Sequence, residues 1–138
     1  MADTVLTVLK VVVSFCLLIL VHELGHFLVA KRLGIGVQRF SIGFGPKIWG
    51  FRRGETEYLL AVIPLGGFVK LLGDDPRGVE REHPRAFLNK PILARLAVVA
   101  AGPLANFALA IARAKFATGP AATTAARERS GLFKKARG

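Results

Sequence analysis

The sequence predicts a membrane protein, mainly α, with two transmembrane helices, a linker holding a membrane-associated or re-entrant β-hairpin, and a disordered basic tail. Three observations predict it. From Val5 to Ala30 the only charged residues are Lys10 and Glu23, a run long enough to cross a hydrocarbon core of about 30 Å as a helix. A second apolar stretch, "PILARLAVVAAGPLANFALAIA", runs from Pro91 to Ala112 with Arg95 near its start. Between them, short apolar runs alternate with Gly- and Pro-rich turn sequences.

The first helix is expected over 4–33. It ends at "KRLGIG", where Lys31 and Arg32 can reach the membrane interface and Gly34 stops the helix. Its start lacks a basic cluster, its apolar run is too long for a signal peptide, and no small-residue cleavage site follows, so it reads as a retained membrane helix. Cys16, the single cysteine, has no partner for a disulfide within the chain and reads as a small packing residue.

The linker, 34–90, is expected to be β-rich in its first part, with strands at "VQRFSI", "KIWGF", "EYLLAVI" and "FVKLL". The breaks between them, "GFGP", "RRGE" and "PLGG", have turn chemistry. "EYLLAVIPLGGFVKLL" is too apolar for a water-facing hairpin and can enter a membrane only with its backbone paired. Trp49 and Tyr58 are expected at the membrane interface. The polar, proline-containing "GDDPRGVEREHPRAFLNK" is expected to be mobile. The second helix follows over 91–112, with Arg95 snorkelling outward. Residues 113–138 form a basic tail without periodicity, read as disordered.

Charge orients the chain. The stretch 31–90 holds eleven Lys or Arg against six Asp or Glu, which places the linker in the cytoplasm and the N-terminus outside. The net charge of +11 raises nucleic acid as a partner. Against it, the basic residues lie beside membrane segments and no nucleic-acid-binding signature is present. Contact of Lys31, Arg32 and the tail with anionic lipid fits better, as anchoring.

The apolar first helix carries "HELGH". Residues four apart nearly stack on one helix face, so His22 and His26 can offer imidazole nitrogens to one ion. Glu23 stays within reach of a water on that ion. This HExxH arrangement supplies two zinc ligands and a general base from one turn. Three ionisable residues on one turn of a membrane helix need a partner, and a divalent cation is the simplest. Gly25 is expected to clear space beside the metal for a substrate backbone.

"HELGHFLVAKRLGI", "FSIGFGP", "PLGGFVKLLGD" and "AGPLANF", in this order, resemble the site-2 protease family of intramembrane zinc metalloproteases, in its bacterial regulator-of-sigma-E group. The resemblance makes residues 1–112 the N-terminal part of such a protease domain. It implies that His22 and His26 bind zinc, that Glu23 is catalytic, and that the segment 57–72 is a re-entrant hairpin presenting a single-pass membrane protein substrate as a strand. It also implies a bacterial inner-membrane, multi-pass location. Asn106 is a candidate substrate-binding or metal-supporting residue.

The family's third ligand is an aspartate in an "LDG" motif, and none occurs in these 138 residues. Asp74, Asp75 and His83 are substitutes on paper, but read better as solvated loop residues. A reading-frame change near Ile111 would explain where the resemblance stops. The competing reading is a catalytically inactive membrane fragment keeping a residual ligand pair.

Overall fold

The structure is a computed structural model in which residues 1–118 are described. The elements run α1 (Ala2–Arg32), β1 (Val37–Arg53), β2 (Thr56–Leu71), two single 3-10 turns (Val79–Glu82 and Phe87–Asn89) and α2 (Ile92–Thr118). Two compact units divide the chain, Met1–Asn106 and Phe107–Gly138. In the second, the described residues are the last turns of α2.

α1 has 31 residues and is therefore about 45 Å long at 1.5 Å per residue. Asp3 in its first turn and Lys31 and Arg32 in its last complement the helix dipole. It stops in a Schellman motif: Ile35 N–H donates to the Ala30 carbonyl at 2.9 Å, and Gly34 N–H to that of Lys31 at 3.2 Å. Gly34 takes φ +66°, a conformation few side chains tolerate. Ala30 and Ile35, the residues this motif brings together, are fully buried. Both α1 and α2 are long and apolar enough to cross a membrane.

β1 and β2 pair antiparallel through the two-residue turn Gly54–Glu55, with Arg53 opposite Thr56 and Phe51 opposite Tyr58. Positive φ at Gly54 alone is the pattern of a type II′ hairpin turn. The expected breaks at "GFGP" and "PLGG" do not end the strands; they change strand partners. Arg39 to Ile42 face Gly67 to Lys70 on one side and Glu57 to Leu60 on the other. Segment 57–72 is therefore not a hairpin closed on itself, because the first half of β1 lies between its two halves. The bends fall at Gly43 (φ +89°) and Gly45 (φ +88°).

The core lies where the end of α1, the start of β1, the end of β2 and α2 meet. Ala30, Ile35, Val37, Leu71 and Val98 form it, with Phe27, Val29, Val69 and Phe87 packed against it. Phe27 stacks edge-on against Phe40 and Tyr58, fixing α1 to the sheet one residue beyond His26. Tyr58 is thus half-buried in an aromatic cluster, whereas Trp49 is exposed.

The polar loop expected to be mobile is docked at its far end. Phe87 N–H donates to the Leu72 carbonyl at 2.7 Å, Gly36 N–H to that of Arg85 at 3.0 Å, and Ala86 is buried. Composition missed this because backbone groups hold the loop. α2 also continues to Thr118, beyond the expected end at Ala112. Ala112, Arg113, Ala114 and Lys115 are strong helix formers, so nothing local stops the helix before Gly119. The remainder of the expected tail, 119–138, lies outside the described residues.

Glu55 fastens the hairpin turn to α1 and to the loop. It accepts Arg85 Nη1 and Nη2 at 2.7 and 2.8 Å and Lys31 Nζ at 2.7 Å. The Arg85 hydrogen bonds, then that of Lys31, lower its pKa from 4.5 to about 2. A depressed carboxylate contributes stability above its unfolded pKa and loses it as pH falls through the folded one. Acidification from about 4.5 to about 2 should therefore weaken the attachment of the turn. Glu55→Gln should remove that part of the acid dependence while lowering stability at neutral pH. Trp49 fluorescence followed through a pH titration checks both.

Candidate metal centre

Helical spacing brings His22 and His26 onto one face of α1, with ring centroids 4.8 Å apart and planes at 81°. Both are half-buried, as is Glu23. The His26 Nδ1 lies 2.6 Å from the Val98 carbonyl of α2. A carbonyl can only accept, so Nδ1 carries the proton and the neutral ring keeps a lone pair on Nε2. A partner of this kind is what orients a metal-binding imidazole.

Both Nε2 atoms meet α2 at Gly102, which is buried. A Cβ there would lie 2.7 Å from His22 Nε2 and would also touch His26 Nε2. Gly25 has a different setting from the one expected. A Cβ on it would meet the Ala101 carbonyl oxygen and, at 2.9 Å, the Ala105 methyl. Its missing side chain lets the two helices approach, and the space beside the imidazoles comes from Gly102. Sequence spacing marks both glycines as small but not which one the rings face.

Glu23 leaves α1 on the side of β2. Its Cγ is 3.4 Å from the position a Cβ would take on Gly67, where Ile19 and the Ser41 carbonyl also crowd. The HExxH turn is therefore flanked by Gly102 of α2 on the side of the imidazoles and by Gly67 of β2 on the side of Glu23. Val98, Gly102 and Gly67 are additions to the residues expected from sequence. Only the density of small residues in "PLGG" and "AGPLAN" hinted at the last two.

Asn106 stands one turn beyond Gly102, half-buried, and its Oδ1 is buried with no hydrogen-bond partner among the described residues. An unsatisfied buried acceptor costs about 1–3 kcal/mol. The Nε of Arg95 is likewise buried with no hydrogen-bond partner among the described residues. Asp75 accepts from Arg77 N–H at 2.9 Å and His83 from Arg85 N–H at 3.1 Å, both on the exposed loop. Among the described residues no three His, Cys, Asp or Glu side chains are grouped to hold a metal ion. The donor types and the tautomer of His26 fit zinc, with two candidate ligands, His22 and His26, among the described residues.

The model of peptidase family M50 matches residues 10–127. A protein of Ralstonia nicotianae, named as a presumptive zinc metalloprotease, is 49% identical over 119 residues, covering 78% of this chain and 25% of the relative. The protease RseP of Yersinia pestis is 51% identical over 104 residues, 72% of this chain and 23% of the relative. The regulator of sigma-E protease RseP of Salmonella typhimurium gives the same figures, 51% over 104 residues, 72% and 23%. The chain thus spans about a quarter of the length of these relatives.

Proposed function

Because the chain belongs to peptidase family M50, we propose that it supplies the membrane-embedded base and two metal ligands of a zinc endopeptidase that cleaves transmembrane segments. The observation that carries this reading is the convergence of two Nε2 atoms on one glycine, between helices apolar enough to cross a bilayer. α1 and α2 cross a bacterial inner membrane, with the N-terminus outside and the linker in the cytoplasm. Lys31 is engaged by Glu55, so contact with anionic lipid at that end falls mainly to exposed Arg32.

His22 and His26 would hold the zinc, and Val98 keeps His26 in the required tautomer. Bound there, zinc supplies Lewis acidity to the scissile carbonyl and to the attacking water. Glu23 takes the proton from that water and returns it to the leaving amine. Gly67, without a side chain, lets the β2 backbone come close to Glu23.

A transmembrane substrate hides its carbonyls in helical hydrogen bonds and must unwind before attack. Gly67 to Leu71 pairs with β1 on one side, and among the described residues no strand pairs with its other side. That edge receives the unwound segment by strand addition. The unsatisfied Oδ1 of Asn106 supports a role as acceptor for a donor from the substrate or from the rest of the site.

The absence of a grouped third ligand among the described residues favours a second reading, an inactive fragment with a residual ligand pair. Co-expression with a tagged single-pass substrate separates the two. The chain alone should not cleave. Adding the C-terminal remainder of a related enzyme, which carries the "LDG" motif, should restore cleavage. Continued inactivity with the remainder stably present favours the inert fragment, and cleavage by the chain alone means its own residues complete the site.

A further inference from the structure

A row of charge crosses the sheet on the face turned away from α1. Phe40 and Tyr58 meet Phe27 of α1, so their chain neighbours Arg39 and Glu57 point to the opposite face. Cross-strand partners share a face, and the register sets Lys70 opposite Arg39, Arg39 opposite Glu57 and Glu57 opposite Arg52. Glu57 is shared by two cations, Arg39 Nε at 3.1 Å and Lys47 Nζ at 3.2 Å. Among the described residues no side-chain hydrogen bond or ion pair holds Arg52 or Lys70. Arg39, Arg52 and Lys70, all exposed, line a shallow cavity of about 230 Å³ together with Gln38, Glu55 and Glu57. Glu55 is taken by Arg85 and Lys31, and Gln38 donates to Glu80. The cavity is left with an excess of positive charge.

Depth follows from α1. Glu55 ties the hairpin turn to Lys31 at the end of that helix, and Gly67 stands beside Ile19 and Glu23. The sheet therefore lies along α1 from Lys31 back to Ile19, about 18 Å of helix. Toward the Ile19 end it exposes Phe44, Ile48, Val62, Ile63 and Leu65, side chains that suit hydrocarbon. The charged row stands at the other end, where Glu57 follows closely on Glu55. In a bilayer crossed by α1, with Lys31 and Arg32 at the interface, that is the level of the lipid phosphates. We propose that Arg39, Arg52 and Lys70 bind the headgroup of an anionic phospholipid in the cytoplasmic leaflet. Its acyl chains run beside the exposed apolar side chains of the same sheet. An acidic peptide would match the charge but not that apolar surface. The proposal rests on the membrane reading above and adds a lipid site to it.

The test uses the full, untagged chain in mixed micelles holding phosphatidylglycerol and phosphatidylcholine in equal amounts, with bound lipid counted by native mass spectrometry. The wild type should retain phosphatidylglycerol over phosphatidylcholine. Arg52→Gln with Lys70→Gln should lower that preference at least about 5-fold, the factor for one basic residue near an anionic surface. Neither side chain has a partner to lose, and the Arg39–Glu57 pair stays. The swap Arg52→Lys with Lys70→Arg should keep the preference, showing that the loss is one of charge. Arg77→Gln with Lys115→Gln removes the same charge elsewhere and should bind as the wild type does. An equal fall in that control, or none in the Arg52 and Lys70 variant, would overturn the site. So would displacement of phosphatidylglycerol by an equal concentration of inorganic phosphate, which would give the cavity to a soluble anion. Trp49, the only tryptophan, tests the membrane reading separately: brominated phosphatidylcholine in vesicles should quench its fluorescence. Absence of quenching would remove that reading and the proposal with it. Quenching without a preference for phosphatidylglycerol would overturn the proposal alone.

Discussion

Glu23→Gln should reduce cleavage by about 10²–10⁴-fold when the chain is complemented by the remainder of a related enzyme, the range for loss of a positioned general base. The amide keeps the size of the side chain beside Gly67 and Ile19 but cannot take a proton from water. Zinc binding should survive, because the two imidazoles and the Val98 contact are untouched. That separation is informative: a structural role for Glu23 would lower metal retention along with activity. Measuring substrate cleavage and zinc content on the same preparations reads both.

Replacing His22 and His26 together by alanine should have the larger effect, bringing cleavage to background. Both Nε2 atoms lie beside Gly102, so removing both takes away the two candidate ligands found there among the described residues. The single variants should not be equivalent in their side effects. His26→Ala also removes the hydrogen bond to Val98, a contact between α1 and α2, whereas no such bond ties His22 to α2 among the described residues. His26→Ala should therefore loosen the helix pair more, seen as a lower thermal midpoint without metal.

Local rules carried much of the candidate site. His22, Glu23 and His26 share a turn because of helical periodicity, and α1 fixes that turn whatever surrounds it. The stop at Gly34 was equally legible, since positive φ and two capping hydrogen bonds belong to a short sequence signal. The four apolar runs of the linker fall within β1 and β2, except that the last overruns β2 by Leu72.

What local rules could not give was partnership. Gly25 and Gly102 look alike in sequence, and only the packing of α2 on α1 shows that one faces a backbone and the other faces two rings. The same holds for β2. Its halves flank β1 because Arg39 to Ile42 can pair on both edges, a choice made by register over long separations. The loop before α2 reads as polar and mobile, yet its backbone donors and acceptors, invisible to composition, hold it to β1 and β2. The apolar first half of α1 lies, as the sequence described, on a helix long enough to span a membrane.

The claim on which the rest depends is that this chain binds zinc through His22 and His26. Metal analysis of the purified, untagged chain and of its His22→Ala, His26→Ala double variant tests it most directly, after dialysis against a common zinc buffer. Zinc should be retained by the wild type, weakly because the chain provides two ligands, and should be absent from the double variant. Equal zinc in the two proteins would contradict the account.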